Sequence, residues 1–315
     1  MHRFVVCIAA AVFAAAAHGA SSQYPVKPIR ILVGPGPDAL ARVYGQKFTD
    51  AWGQQVVIDQ RPGAGGTIAA ETVAKAAADA YTLLLATGSY TINASLQQQS
   101  YDLVRDFAPI SLLGTVPFIL VVTPSVPAKT VSELIQLAKA KPGQINYASA
   151  GNGTPPHLAG EMLKMMTGIS IVHVPYKGAA QGLTDVIGGQ IQMMFAVGPV
   201  GIPHVQSGRV RGLAVSTAKR SRIVPELPTL AESGVPGFEV VGWNGLMAPA
   251  GSPKAALERL NAEITKVTAL PDMQGRIVGL GFEPVASTAE EFGAFVREDI
   301  ARWKKVIKAA HVKID

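Results

Sequence analysis

Apolar segments of strand length alternate along this chain with segments of helical length, and that alternation leaves few architectures open. Ile29, Ile31 and Val33 support a strand within residues 27–33. Gly34-Pro-Gly-Pro-Asp38 turns the chain, and Leu40, Val43, Tyr44 and Phe48 then recur at helical spacing up to Trp52. Residues 55–59 form a second strand, 61–66 a loop and 67–78 an alanine-dense helix. Residues 81–86 are nearly all apolar, as a strand covered on both faces would be. The βαβαβ order predicts a mostly parallel sheet with helices on both sides.

The alternation restarts after a further apolar strand, Phe118-Ile-Leu-Val-Val122. A helix over 131–140 leads to residues 144–160, where Ile145, Tyr147 and Ala148 suit a strand. Gly151 and Gly153 permit positive φ, Thr154 is a good N-cap, and Pro155 suits the first helical position. Leu158, Met162, Leu163 and Met166 give the following helix its apolar stripe. Backbone N–H groups, a hydroxyl from Ser149 or Thr154 and a helix dipole then converge, which makes an anion site. An ordinary strand-to-helix turn uses the same residue types. Strands at 171–174, 191–195 and 210–215 follow, with helices at 179–188 and 198–207. Two runs separated near residue 123 predict two α/β lobes. A strand over 238–247 leads to a helical tail at 253–268, 271–279 and 288–310. Phe295 and Trp303 are expected to anchor the last helix onto a lobe.

The first residues read as a separate segment. His2 and Arg3 precede an uncharged, Ala-rich apolar run to Ala17, and small residues follow at Gly19-Ala-Ser21. Residues 1–20 are therefore expected to be a secretory signal peptide, with a periplasmic product. Cys7 is the only cysteine and lies inside it, so the mature chain is expected to have no disulfide and no thiolate metal site. No later apolar run approaches spanning length. The formal net charge of +6 is dispersed, without the basic stripe that nucleic-acid binding needs.

Most catalytic patterns are missing: no G-x-S-x-G, no P-loop ending and no H-E-x-x-H. His157, His173 and His204 carry no ligand spacing, so no metal or cofactor is expected. One enzyme-like pattern is present. Gly34-Pro-Gly-Pro-Asp-Ala39 matches a dinucleotide fingerprint, with Asp59 ending the next strand where a ribose-binding acid would sit. Pro35 and Pro37 count against it, because they lack the N–H groups that hold pyrophosphate. The loops at strand carboxyl ends (35–39, 87–93, 149–154, 175–178 and 195–198) are rich in Gly, Ser, Thr and Asn and poor in acid–base groups. Such loops bind ligands without performing chemistry on them, which favours a binding protein over an oxidoreductase.

Several motifs resemble those of the exported solute receptors of tripartite tricarboxylate transporters, the Bug-type binding proteins. They are Tyr24-Pro-x-Lys-Pro-Ile-Arg30, Arg61-Pro-Gly-Ala-Gly-Gly66, Tyr81-Thr-Leu-Leu84, Asn146-Tyr-Ala-Ser-Ala-Gly-Asn-Gly-Thr154, Val174-Pro-Tyr-Lys-Gly178 and Leu213-Ala-Val-Ser216. The ending Glu291-Phe-x-x-Phe-Val-x-x-Asp-Ile-x-x-Trp303 is similar too. The resemblance implies a two-lobed periplasmic-binding-protein fold of type II, the Venus-flytrap arrangement. Each lobe would be a mostly parallel sheet flanked by helices. It implies lobe 1 at 22–123 plus 243–315, lobe 2 at 124–242, and a hinge of strands near 118–124 and 239–247. The implied function is capture of a small carboxylate by a monomer that delivers it to a membrane permease; a receptor serving a signalling sensor is the alternative.

The ligand loops of this resemblance fall on Pro37, Asp38 and Ala39; Thr87, Gly88, Ser89 and Asn93; Ser149, Gly151, Asn152, Gly153, Thr154 and His157; Tyr176 and Lys177; and Ala196. Two departures stand out. The first loop, usually Pro-Phe-x-Pro-Gly-Gly-x-x-Asp, is contracted to Gly34-Pro-Gly-Pro-Asp38, and Ala196 replaces an aspartate common after Met-Phe.

Overall fold

The computed structural model describes residues 24–34, 38–61, 63, 66–96 and 98–309. The expected signal peptide and Pro37 lie outside these residues. The first run is β1 (Ile29–Val33), α1 (Ala39–Trp52), β2 (Val56–Gln60), α2 (Thr67–Ala74), β3 (Thr82–Thr87) and α3 (Gly88–Leu96). Next come β4 (Phe107–Val122), α4 (Val131–Ala140), β5 (Ile145–Ser149), α5 (Pro155–Thr167), β6 (Ile171–Pro175), α6 (Ala179–Ile187), β7 (Met193–Val197), α7 (Gly198–Gln206) and β8 (Arg211–Val215). The chain ends with β9 (Val241–Pro249), α8 (Lys254–Thr268), α9 (Pro271–Gly279), β10 (Glu283–Pro284) and α10 (Ala289–Ala309).

The strands join in the order β2-β1-β3-β9-β4-β7-β5-β6, with β8 and β10 also paired to β4. β1 runs parallel to β2 and β3, and β5 runs parallel to β6 and β7. β3–β9, β9–β4 and β4–β7 are antiparallel. Each lobe thus has the expected parallel βαβ sheet, and antiparallel strands connect the two. β4 belongs to both: Phe107–Pro117 pairs with β9, and Phe118–Val122 pairs with β7. The residues of this second half are at most 4% exposed, so apolar burial fixes its place.

Two elements differ from the sequence reading. The strand expected at Phe118 begins at Phe107. Pro109, Gly114 and Pro117 interrupt its pattern, and the register shifts at Pro109/Ser111 and Leu112/Gly114, where bulges bend the strand. Residues 88–96 form a helix where a loop was expected. Its small polar start resembles a turn, but Tyr90 and Ile92 are fully buried and Thr91 bonds to a distant acid, so tertiary contacts decide.

The tail helix α10 starts with a capping box. Thr288 Oγ1 accepts from Glu291 N at 3.1 Å, and Glu291 Oε2 accepts from Thr288 N at 2.9 Å. Its first half packs Phe292 and Val296 against Trp243 in one core. Farther along, Trp303 packs into the other lobe's core with Leu158 and Leu163. The helix therefore touches both lobes.

Candidate functional site

A cavity of about 620 Å³ opens where the two lobes face each other. Its floor comes from the strand crossing: Val116 and Phe118 of β4, Val197 of β7, and Gly242, Trp243 and Asn244 of β9, with Phe282 beside them. Val116 pairs with Gly242, where a Cβ would lie 2.5 Å from a Val116 methyl, so only glycine lets these strands meet here. The walls are the starts of α3, α5 and α6, as expected for loops at strand carboxyl ends.

On one wall α3 begins directly after β3, with Thr87, Gly88 and Ser89 lining the cavity. The Thr87 hydroxyl is buried without a protein partner. A Cβ on Gly88 would come within 3.3 Å of Pro155 and 3.4 Å of Trp243 Nε1, so the starts of α3 and α5 adjoin across the cleft. Below them lies Asp299 of α10, 2% exposed. Its carboxylate accepts from Trp243 Nε1 at 3.1 Å, lies 2.6 Å from Thr91 Oγ1 and pairs with Arg302.

On the facing wall, Gly151 and Gly153 take φ of 124° and 69°, conformations that favour glycine. Gly151, Asn152 and Thr154 line the cavity. The turn is held from inside. Thr154 Oγ1 donates to Gly151 O at 2.7 Å, Gly151 N donates to Ser149 Oγ at 3.1 Å, and Gly153 N donates to His157 Nδ1 at 3.2 Å. Pro155 and Pro156 bring no N–H to the helix start. Among the described residues, the N–H groups of Asn152 and Thr154 take no protein acceptor.

Parallel pairing of β5 with β6 sets Tyr147 beside His173, and the His157 and His173 rings stack at 4.0 Å. Ser149 Oγ lies 2.6 Å from His173 Nε2. That resembles a nucleophile and its base, but Ser149 is fully buried and does not reach the cavity, so the contact shapes the turn. Burial pushes the His173 pKa down to about 3, with His157 and Lys164 adding to the fall. Burial also lowers that of His157, against the pull of Glu161. Accepting a bond at Nδ1, His157 is the neutral Nε2–H tautomer.

The structure brings Thr87, Gly88, Ser89, Gly151, Asn152, Thr154 and Lys177 together around the cavity. The other expected residues stand back from it. Ser149, Gly153 and His157 support the turn. Asn93 is buried on α3, and its carbonyl accepts from Gln99. Tyr176 donates its hydroxyl to Asp185 at 2.6 Å. Ala196 is buried inside β7 rather than in a loop, where a Cβ on Gly201 would come within 2.8 Å of its side chain. Ala39 begins α1 and does not line the cavity. Asp38 neither lines the cavity nor caps α1 with its side chain; its Oδ2 accepts from Arg42 and Gln60. Asp59, the ribose-binding candidate, is also occupied, since Arg30 and Arg61 hold its carboxylate below the usual range.

Sequence reasoning missed the floor. Val116 and Phe282 look like core residues in the linear chain. Trp243-Asn244 inside an apolar strand is the one visible signal, because a buried polar group needs a purpose.

A fold of two α/β lobes on crossing strands, with a ligand-sized cavity between helix starts, is the architecture of a bacterial solute-binding protein. The sequence model described as "Tripartite tricarboxylate transporter family receptor" matches residues 40–312, and the chain belongs to that family. It is 33% identical over 306 residues to Protein BugT of Bordetella pertussis (strain Tohama I), covering 95% of this chain and 94% of that one. Among solved structures it is similar to R. palustris Rpa4515 with adipate, with a TM-score of 0.88, 34% identity and coverage of 92% and 99%. It is also similar to MatC (Rpa3494) from Rhodopseudomonas palustris with bound malate, with a TM-score of 0.83, 28% identity and coverage of 90% and 99%.

Proposed function

We propose that this protein is a periplasmic solute receptor that captures a small carboxylate between its lobes and delivers it to a tripartite tricarboxylate-type permease. One observation carries the reading: the Thr87 hydroxyl and the Asn152 and Thr154 N–H groups lack protein partners at a cavity joining both lobes. Neutral donors at helix starts, with Lys177 beside them, suit a carboxylate. Family membership supports the receptor role, as do the adipate and malate bound to its structural relatives. Residues 1–20 would direct export. The mature chain would act as a monomer, with residues 22–123 and 243–315 closing on 124–242 by hinge rotation. Capture and release of the ligand call for no catalytic residue, metal or cofactor.

Calorimetry against a panel of carboxylates, with X-ray scattering of the same samples, tests the reading. Micromolar binding, worth about −8 kcal/mol, with compaction on binding is expected. Thr87→Val should weaken it by removing a hydroxyl, and Thr154→Ala, which keeps the N–H, by freeing the Gly151 carbonyl that holds the turn. Full affinity in both variants would remove the assigned site. Retention of a neighbouring permease on the immobilised receptor tests the transport partner.

A further inference from the structure

The cavity is strongly two-sided in its chemistry. Most of its hydrogen-bonding groups come from the helix starts, Thr87 and Ser89 of one lobe and Asn152 and Thr154 of the other, with Gln60 at the end of β2 and Asn244 in β9. Lys177 is the one cationic side chain among the described lining residues, and it stands exposed at the rim. The floor is mainly apolar, with Val116, Phe118, Val197, Trp243 and Phe282 around the strand crossing and Asn244 as its one polar side chain besides the indole N–H that Asp299 holds. No aspartate or glutamate is among the described lining residues. The nearby acids are engaged elsewhere: Asp38 with Arg42 and Gln60, Asp59 with Arg30 and Arg61, and Asp299 with Trp243 and Arg302.

We infer that the ligand is a carboxylic acid with one charged end and an uncharged apolar body, aromatic or aliphatic, and without an ammonium group. This rests on the receptor reading above and narrows it. The carboxylate meets the donors of the helix starts and Lys177, and the body lies on the β4–β9 floor. A further charge placed on that floor would lose its water and meet only the neutral Asn244 amide, with no opposite charge, which opposes compact polycarboxylates. An ammonium would find no anion, which opposes amino acids.

The test is calorimetry on the mature protein with butanoate, hexanoate, octanoate, benzoate and phenylacetate, against malate, citrate and L-glutamate. Affinity should rise about fourfold for each methylene buried along the straight-chain series. The best apolar acid should bind at least tenfold more tightly than malate, citrate or glutamate. Its heat-capacity change on binding should be negative. Tighter binding of malate, citrate or glutamate would overturn the inference and leave the receptor reading standing, as would a flat straight-chain series. Binding by no acid in either group would overturn both.

Discussion

Replacing Asp299 separates hydrogen bonding from charge beneath the cavity. In Asp299→Ala the buried Trp243 Nε1–H loses its acceptor, which costs about 1–3 kcal/mol. Thr91 loses less, because its hydroxyl keeps Gly88 O at 2.9 Å. The Arg302 pair adds roughly 0–1 kcal/mol, since the arginine side chain is 37% exposed. The sum is about 1–4 kcal/mol, which at a slope of about 2–3 kcal/mol/M should move the urea midpoint down by roughly 0.5–2 M. Asp299→Asn keeps a carbonyl for Trp243 and loses only the ion pair, so its cost should stay near 1 kcal/mol. Circular dichroism and tryptophan fluorescence would follow both transitions. If Asp299→Ala lay within about 0.5 kcal/mol of the parent, the network would have no structural weight. If Asp299→Asn matched the alanine variant, charge rather than hydrogen bonding would carry it.

Further outcomes follow from individual contacts. Thr87→Val removes a buried hydroxyl that has no partner, so the ligand-free protein should keep its stability or gain about 1 kcal/mol in urea titration, even as ligand affinity falls. Gly160→Ala would set a methyl 2.3 Å from the Tyr147 ring. The clash, about 1–3 kcal/mol, outweighs the roughly 1 kcal/mol gained in helix propensity, and thermal unfolding should shift down. Because the His173 pKa is lowered from the usual 6.5 to about 3, the unfolded chain takes up its proton first on acidification. The contribution is complete above pH 6.5 and declines toward pH 3. His173→Gln should therefore flatten the fall in melting temperature between pH 7 and pH 5, and an unchanged slope would remove this role.

The chain's alternation was enough to foresee two α/β lobes, because apolar runs such as residues 81–86 and 118–122 have few ways to be buried. It did not reveal the first half of β4, where Pro109, Gly114 and Pro117 hide a strand that tolerates them through bulges. The glycines of the 149–154 turn were legible, since positive φ leaves a mark on composition. The use of Ser149 was not. Its hydroxyl is claimed by His173, which pairing of β5 with β6 brings alongside from 24 residues away. The cavity floor stayed hidden for a related reason: residues remote in sequence become neighbours only where β4 crosses β9 and β7.

The closing helix has a mechanical consequence. At 21 residues it spans about 31 Å, seated at one end beside Trp243 and at the other through Trp303. Any gaping of the jaws must either unseat that second indole or drag the far end of the rod along. If the lobes close as proposed, this tether in the final stretch of sequence limits how far they part, and trimming the chain before Trp303 should release the stop.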